Sequence, residues 1–316
     1  MKVIDLINSS KSTAFSFEIL PPLKGNSIQK VYNVIDKLIE FDPKYINITS
    51  HHSEYIYKTL PDGSFQKVNI RKRPGSVAIA SAIQNKYGIT AVPHIICKGF
   101  TKDETEYALI DLNFLGVYDL LLLRGDVKTL EAGQKTDIYH EHATDLQQQV
   151  NDFNKGIAID GSVFEANETP FSYGMACYPE KHEEAPNMES DIFYLKEKVK
   201  NGADYLVTKM FFDIEKYYAF VDRCRAEGIT VPIIPGIKPI VFKNQLTVLP
   251  KIFRSDIPEP FATELRKCKT DDEAKAVGVE WCIQQCKDLI AHGVPSLHFY
   301  TMMASDSVYK VAKEVY

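Results

Sequence analysis

Tryptophan is almost absent from this chain: Trp281 is the only one in 316 residues, although tyrosine and phenylalanine number 17 each. Sugar-cleaving clefts usually display several indole platforms, so a glycoside hydrolase built on two acids fits poorly. Positive charge is short as well. Lysine plus arginine total 37 against 42 acidic residues, a net charge of -5, and no long basic run offers a footprint for nucleic acid. Arg71-Lys72-Arg73 is too short to change that; it reads as a solvated loop, with contact to a ligand phosphate as the sharper alternative. The six cysteines (Cys97, Cys177, Cys224, Cys268, Cys282 and Cys286) lack Cys-x-x-Cys spacing and suitably spaced histidines, so no metal site is expected. Cys97, Cys177 and Cys282 lie in apolar segments and read as buried thiols. No apolar run approaches the roughly 18 residues of a membrane span, and no signal peptide opens the chain. A cytoplasmic protein that meets neither membrane nor nucleic acid is the expectation. Also missing are the Gly-x-Ser-x-Gly elbow of many hydrolases and the His-Glu-x-x-His of metalloproteases.

What is present is a regular alternation of strand and helix. Phe15 to Pro22 (Phe-Ser-Phe-Glu-Ile-Leu-Pro-Pro) reads as a short strand covered on both faces and stopped by two prolines that cannot donate to a ladder. Glu18 sits inside it, where a carboxylate is costly without a partner. A solvent-facing Glu on an edge strand is the bland alternative; the apolar flanks favour a working acid. Val31, Val34, Ile35, Leu38 and Ile39 recur at helical spacing. Tyr45 to Thr49 is a second strand, followed by a long polar loop from Ser53 to Lys72 and a helix with Pro74 at its first position. Thr90 to Ile96 is a third strand, and Thr101-Lys-Asp-Glu104 is a capping box. Tyr118 to Leu123 must be buried on both faces and ends in Arg124-Gly125-Asp126. After a polar stretch with a helix near 143–153 come strands at 171–178, 205–212 and 231–235. Asp213 caps the helix after the second of these. A long helical section from 245 to 290 and a strand at 296–300 complete the pattern, before a closing helix.

Eight strands, each followed by a helical pattern, predict an α/β fold: a single (β/α)8 TIM barrel forming one domain over 1–316, with no repeats, linkers or low-complexity segments. An open doubly wound sheet is the alternative, weakened because no strand is followed by Gly-x-Gly-x-x-Gly. Active sites of such barrels lie at the carboxyl ends of the strands. Those ends carry Glu18, Thr49, His94, Arg124 with Asp126, Tyr178 with His182, Lys209, Pro235-Gly236, and His298 with Tyr300. For His94, His298 and Tyr300 an ordinary place in the core is the competing reading.

Taken in order, Phe-Ser-Phe-Glu18 before Pro-Pro, Pro93-His94, Leu-Arg124-Gly-Asp126, Tyr178-Pro-Glu-x-His182, Thr208-x-x-Phe-Phe-Asp213, Pro235-Gly-Ile and His298-Phe-Tyr300 resemble methylenetetrahydrofolate reductase. Each motif is weak alone; seven in sequence, nearly end to end, are specific. The resemblance implies a barrel that holds FAD non-covalently. It implies hydride transfer from NAD(P)H to flavin N5 and then to the methylene carbon of 5,10-methylenetetrahydrofolate, giving 5-methyltetrahydrofolate by ping-pong turnover. It assigns Glu18 as the acid that opens the imidazolidine ring to a reactive iminium, and Asp126 as the acid beside flavin and folate that stabilises this cation. Thr49, His94, Arg124, Gly125, Asp126, Tyr178, His182 and Lys198 match flavin-contacting positions.

Two departures stand out. Lys209 replaces a Gln of many relatives; an ammonium there cannot accept a hydrogen bond, and near Glu18 it would lower the carboxyl pKa. Lys209 is thus expected as a third catalytic residue beside Glu18 and Asp126, titrating as a pair with Glu18 in which either group carries the donated proton. Where relatives often stack an aromatic on the aminobenzoate ring, Lys243 stands, so the adjacent Phe242 is expected to supply the stacking. Glu18, Lys209 and Phe242 are thus the expected folate contacts. The resemblance also implies a homo-oligomer, and no S-adenosylmethionine inhibition, since the regulatory domain of larger relatives is not expected. A pterin-binding barrel methyl transferase and a non-catalytic flavin- or folate-binding subunit remain the competing functions.

Overall fold

A computed structural model describes residues 1–51, 54–125, 138–302 and 305–316, apart from the side chains of residues 54, 55 and 69. In chain order its elements are α1 (Val3–Ser9), β1 (Ala14–Ile19), α2 (Gln29–Leu38), β2 (Tyr45–Ile48), β3 (Glu54–Thr59), β4 (Phe65–Ile70), α3 (Ser76–Tyr87), β5 (Thr90–Ile96), α4 (Lys102–Phe114), β6 (Asp119–Leu123) and α5 (Ala143–Asn154). They continue as β7 (Ser172–Cys177), α6 (Met188–Lys200), β8 (Tyr205–Thr208), α7 (Ile214–Ala226), β9 (Ile233–Ile234), β10 (Gly236–Ile237), α8 (Gln245–Phe253), α9 (Glu259–Lys267), α10 (Asp271–Ala291), β11 (Ser296–Tyr300) and α11 (Ser305–Val315).

Nine of the strands form one parallel sheet in the order β10-β11-β1-β2-β5-β6-β7-β8-β9. The two ends of that order, β9 and β10, are one extended segment interrupted by Pro235, which has no N–H to give to a ladder. Its carbonyl still accepts a hydrogen bond from the His298 N–H at 3.1 Å. The sheet therefore returns on itself as eight staves, the TIM-type barrel that the strand count predicts. Period-two alternation sorts each stave. In β1, Phe15, Phe17 and Ile19 join the shell under the helices, with Val31, Ile35 and Leu38 of α2 and Val308 and Val311 of α11. Ser16 and Glu18 turn to the inside. The lower interior is a separate apolar plug of Tyr45, Val92, Leu121, Tyr205, Val207 and Ile234, closed from below by Val3 and Ile7 of α1. Asp119 fixes α1 there by accepting from the Val3 N–H at 2.8 Å.

The structure differs from the sequence reading in several places. The stretch expected as a polar loop from Ser53 to Lys72 contains an antiparallel hairpin, β3 with β4. Helix α3 is capped at Gly75, so Pro74 lies ahead of the helix rather than at its first turn. Strand β8 ends at Thr208, well short of residue 212, and α1 has no counterpart in the sequence reading. All six cysteines, not three, are buried free thiols. The capping box at Thr101 and the Asp213 cap are present as expected.

Candidate functional site

Glu18 leaves the carboxyl end of β1 level with Tyr300 of β11 on one side and Asn47 of β2 on the other. It is 9% exposed. Burial pushes its carboxyl up to about 8, opposed by the positive charge of Lys238. His94 Nε2 lies 3.8 Å from Glu18 Oε2. That is too long for a hydrogen bond, and burial drives the His94 pKa down to about 3. The pair at neutral pH is therefore a protonated acid facing a neutral imidazole, not an ion pair. Behind it, His298 accepts or donates at 3.0 Å with the Ser16 hydroxyl, stacks on Tyr45 and is likewise held near 3 by burial. Tyr300 donates to the Thr208 carbonyl at 2.7 Å, and Thr301 donates to the Glu18 carbonyl at 2.6 Å. Thr49 donates to the Ile19 carbonyl at 3.2 Å, pinning the end of β2 to that of β1.

The other side of the mouth gathers cations and rings. Arg124, at the end of β6, pairs with Glu184 and donates to the Glu141 carbonyl at 3.2 Å. Its charge depresses the nearby Lys98 and His182, although burial contributes more to each. Gly125 turns the chain at φ +81°. Lys198 of α6, half-buried with its ammonium 6.0 Å from the Tyr178 ring, donates to the Ala176 carbonyl at 3.1 Å, and desolvation lowers its pKa. The His182 ring meets Tyr178 edge-on at 4.7 Å; its backbone N–H donates to Asp191 at 2.8 Å.

The structure thus brings Glu18, His94 and Thr49 together, and Arg124, Gly125, Tyr178, His182 and Lys198 together. Asp126 lies outside the described residues. Lys209 is half-buried and its N–H bonds the Cys177 carbonyl at 2.9 Å. The charge that acts on Glu18, however, is that of Lys238, and the net shift of Glu18 is upward, not the lowering expected from Lys209. Phe242 is 51% exposed beyond β10, with its N–H bonded to Gln245 at 3.1 Å. Lys238 itself escaped the sequence reading; the available signal was a lysine directly after the strand-ending Pro-Gly-Ile.

The residues suit a ligand with a polar ring at one end and an anionic tail. Asn47, wholly buried beside Glu18, leaves both side-chain amide atoms without a hydrogen-bond partner among the described residues, as does His94 Nε2. Buried polar atoms left so are costly. Arg124 and Lys98 crowd like charges at the opposite rim.

A family model described as methylenetetrahydrofolate reductase matches residues 2–316. The chain is 30% identical over 297 residues to the 5,10-methylenetetrahydrofolate reductase of Escherichia coli, covering 94% of this chain and 88% of that protein. It is 30% identical over 315 residues to the probable methylenetetrahydrofolate reductase (NADPH) of Caenorhabditis elegans, covering 99% of this chain but 43% of that protein. For methylenetetrahydrofolate reductase (NADH) 1 of Arabidopsis thaliana the identity is 30%, with 97% and 49% covered. The chain spans less than half the length of these two. Among solved structures, an uncharacterized Clostridium thermocellum protein that binds two copies of 5-methyl-5,6,7,8-tetrahydrofolic acid shares the fold, with a TM-score of 0.58, 14% identity and 98% and 96% covered.

Proposed function

This chain belongs to the methylenetetrahydrofolate reductase family, and we propose that it reduces 5,10-methylenetetrahydrofolate to 5-methyltetrahydrofolate with FAD as cofactor and NAD(P)H as reductant. The observation that carries this reading is Glu18, a buried carboxyl at the mouth of the barrel, whose pKa burial pushes up to about 8. An acid that retains its proton at pH 7 can donate it where a group with an ordinary carboxyl pKa has already lost its own.

Arg124, Lys98 and Lys198 would hold a diphosphate by charge-assisted hydrogen bonds, with Tyr178 and His182 beside it and Thr49 and His94 on the side of the reacting ring. When bound, FAD would accept a hydride from NAD(P)H and deliver it to the methylene carbon. Glu18 gives its proton to the ring nitrogen whose bond to the methylene carbon breaks. The bonding pair stays on that nitrogen, the carbon becomes an iminium, and Glu18 is left as a carboxylate. Asp126 would stabilise the iminium charge. His94, neutral across the working range, fills the space beside Glu18 without adding a charge that would compete for its proton. Lys209 and Phe242 would line the folate, Phe242 by stacking on its aminobenzoate ring. The working unit is read as a single domain acting as a homo-oligomer in the cytoplasm; no helix among the described residues is long and apolar enough to cross a membrane.

Purified protein should be yellow, release FAD on denaturation, and form 5-methyltetrahydrofolate from 5,10-methylenetetrahydrofolate with NADH or NADPH. A colourless protein that cannot be reconstituted would point to a pterin methyl transferase. A yellow protein that neither nucleotide bleaches would point to a binding subunit.

A further inference from the structure

Lys238 is a lysine in a place that disfavours charge. It directly follows β10 and is 5% exposed. The parallel register pairs Gly236 with His298 and Ile237 with Phe299. One further step brings Lys238 level with Tyr300, which itself faces Glu18 across β1. A Cβ on Gly236 would strike the Tyr300 ring at 2.5 Å, so the Gly236 side of this stave faces the barrel interior. Strand alternation places Lys238 on that same side. Glu18 and Lys238 therefore come from alternate staves into one interior layer, the way such barrels build their cores.

Among the described residues, neither a hydrogen bond nor an ion pair within 4.0 Å is made by the Lys238 ammonium. On a residue only 5% exposed, a positive charge is unfavourable in itself. The titratable groups facing it are Glu18 of β1 and Cys282 of α10. Those facing Glu18 are Lys238, His94 of β5 and Tyr300 of β11. His94 is neutral, and burial holds the Tyr300 phenol far above its ordinary range. Of the described groups, Lys238 alone puts a charge on the acid.

We propose that Lys238 is a positioning residue that acts through Glu18: its ammonium stabilises the carboxylate formed when Glu18 releases its proton, and so sets how readily that proton is given. The proposal rests on the reading of Glu18 as the acid of the reaction. An acid buried among apolar groups holds its proton too firmly to donate well, and a fixed positive charge in the same layer offsets that. The proton leaves the Glu18 oxygen for the substrate nitrogen, and no other group need change its protonation.

The test is a pH titration of the full-length protein by infrared difference spectroscopy. The Glu18 carboxyl band is identified by its loss in Glu18→Gln. Lys238→Met, close in volume and apolar, should raise the Glu18 midpoint by about 1–3 pH units, the reach of one nearby opposite charge. Lys238→Arg should restore it to near the wild-type value. In parallel, Lys238→Met should slow folate reduction about tenfold at pH 7, by that weakening of the acid, with KM little changed and nicotinamide oxidation unaffected. If Lys238→Met does not fold, Lys238→Gln against Lys238→Arg makes the same comparison. Equal Glu18 midpoints in the neutral and the positively charged variants would overturn the proposal. The titration needs no turnover, so a shifted midpoint in a protein that reduces no folate would leave Lys238 in place and remove the proposed reaction instead.

Discussion

At the scale of single residues, the site is a contest between burial and charge. Burial raises Glu18 from 4.5 to about 8, so the folded chain binds that proton more tightly than the unfolded one. Its contribution to stability is full below about pH 4.5 and is lost as pH rises through 8. Glu18→Gln, which cannot titrate, should therefore gain on wild type as pH rises. We expect the difference in melting temperature, variant minus wild type, to grow by on the order of 5 °C between pH 5 and pH 9; a difference that shrinks over that range would contradict the burial of a protonated acid. His94 works in the opposite sense. With its pKa lowered from 6.5 to about 3, it favours the fold above pH 6.5, and that support fades as acid is added. Phe242 is exposed enough to meet a substrate ring, and Phe242→Ala should raise the KM for folate several-fold, at about 0.5–1.5 kcal/mol for a lost aromatic pair, while leaving the KM for nicotinamide unchanged. An unchanged folate KM would remove Phe242 from the site.

At the scale of elements, the parts that sequence made legible are those with a strong local cause. Strand β1 ends where Pro21-Pro22 end its ladder, and α4 starts where Thr101 and Glu104 cap each other reciprocally. Helix α1 was not legible because seven residues present only Val3 and Ile7 to the core, too few for a period to show. The β3–β4 hairpin forms its own two-stranded sheet, and its apolar residues, Ile56, Tyr57, Phe65 and Val68 among them, follow no period-two pattern, so hydrophobic alternation could not reveal it; Asp62-Gly63 in its turn was the usable signal. Lys238 was hidden for another reason. Only the register of β10 on β11 shows that it shares a layer with Glu18, and register is not written in a single strand. That register also depends on Gly236, whose N–H bonds the Thr208 hydroxyl at 2.8 Å. A Cβ there would lie 2.2 Å from the Thr208 carbonyl oxygen. Gly236→Ala should cost at least about 1–3 kcal/mol by overpacking, read by denaturant unfolding, and should impair folate reduction through displacement of Tyr300. A variant as stable and active as wild type would mean that this seam is looser than described.

For the whole molecule, the closed barrel brings residues far apart in sequence, Glu18 and Lys238 among them, to one rim and seals the opposite end with α1. The eight-stave plan was readable from the strand count, and the family from seven motifs in order; the division of the rim into a protonated-acid side and a cationic side was not, because it arises only on closure. The central claim is that the neutral Glu18 carboxyl supplies the proton for folate reduction. It is tested most directly by anaerobic stopped-flow single turnover of pre-reduced protein with 5,10-methylenetetrahydrofolate, wild type against Glu18→Gln. The account predicts that the variant reoxidises about 10²–10⁴-fold more slowly, the range for a lost general acid, while its reduction by nicotinamide keeps the wild-type rate. Equal reoxidation rates in the two proteins would contradict it.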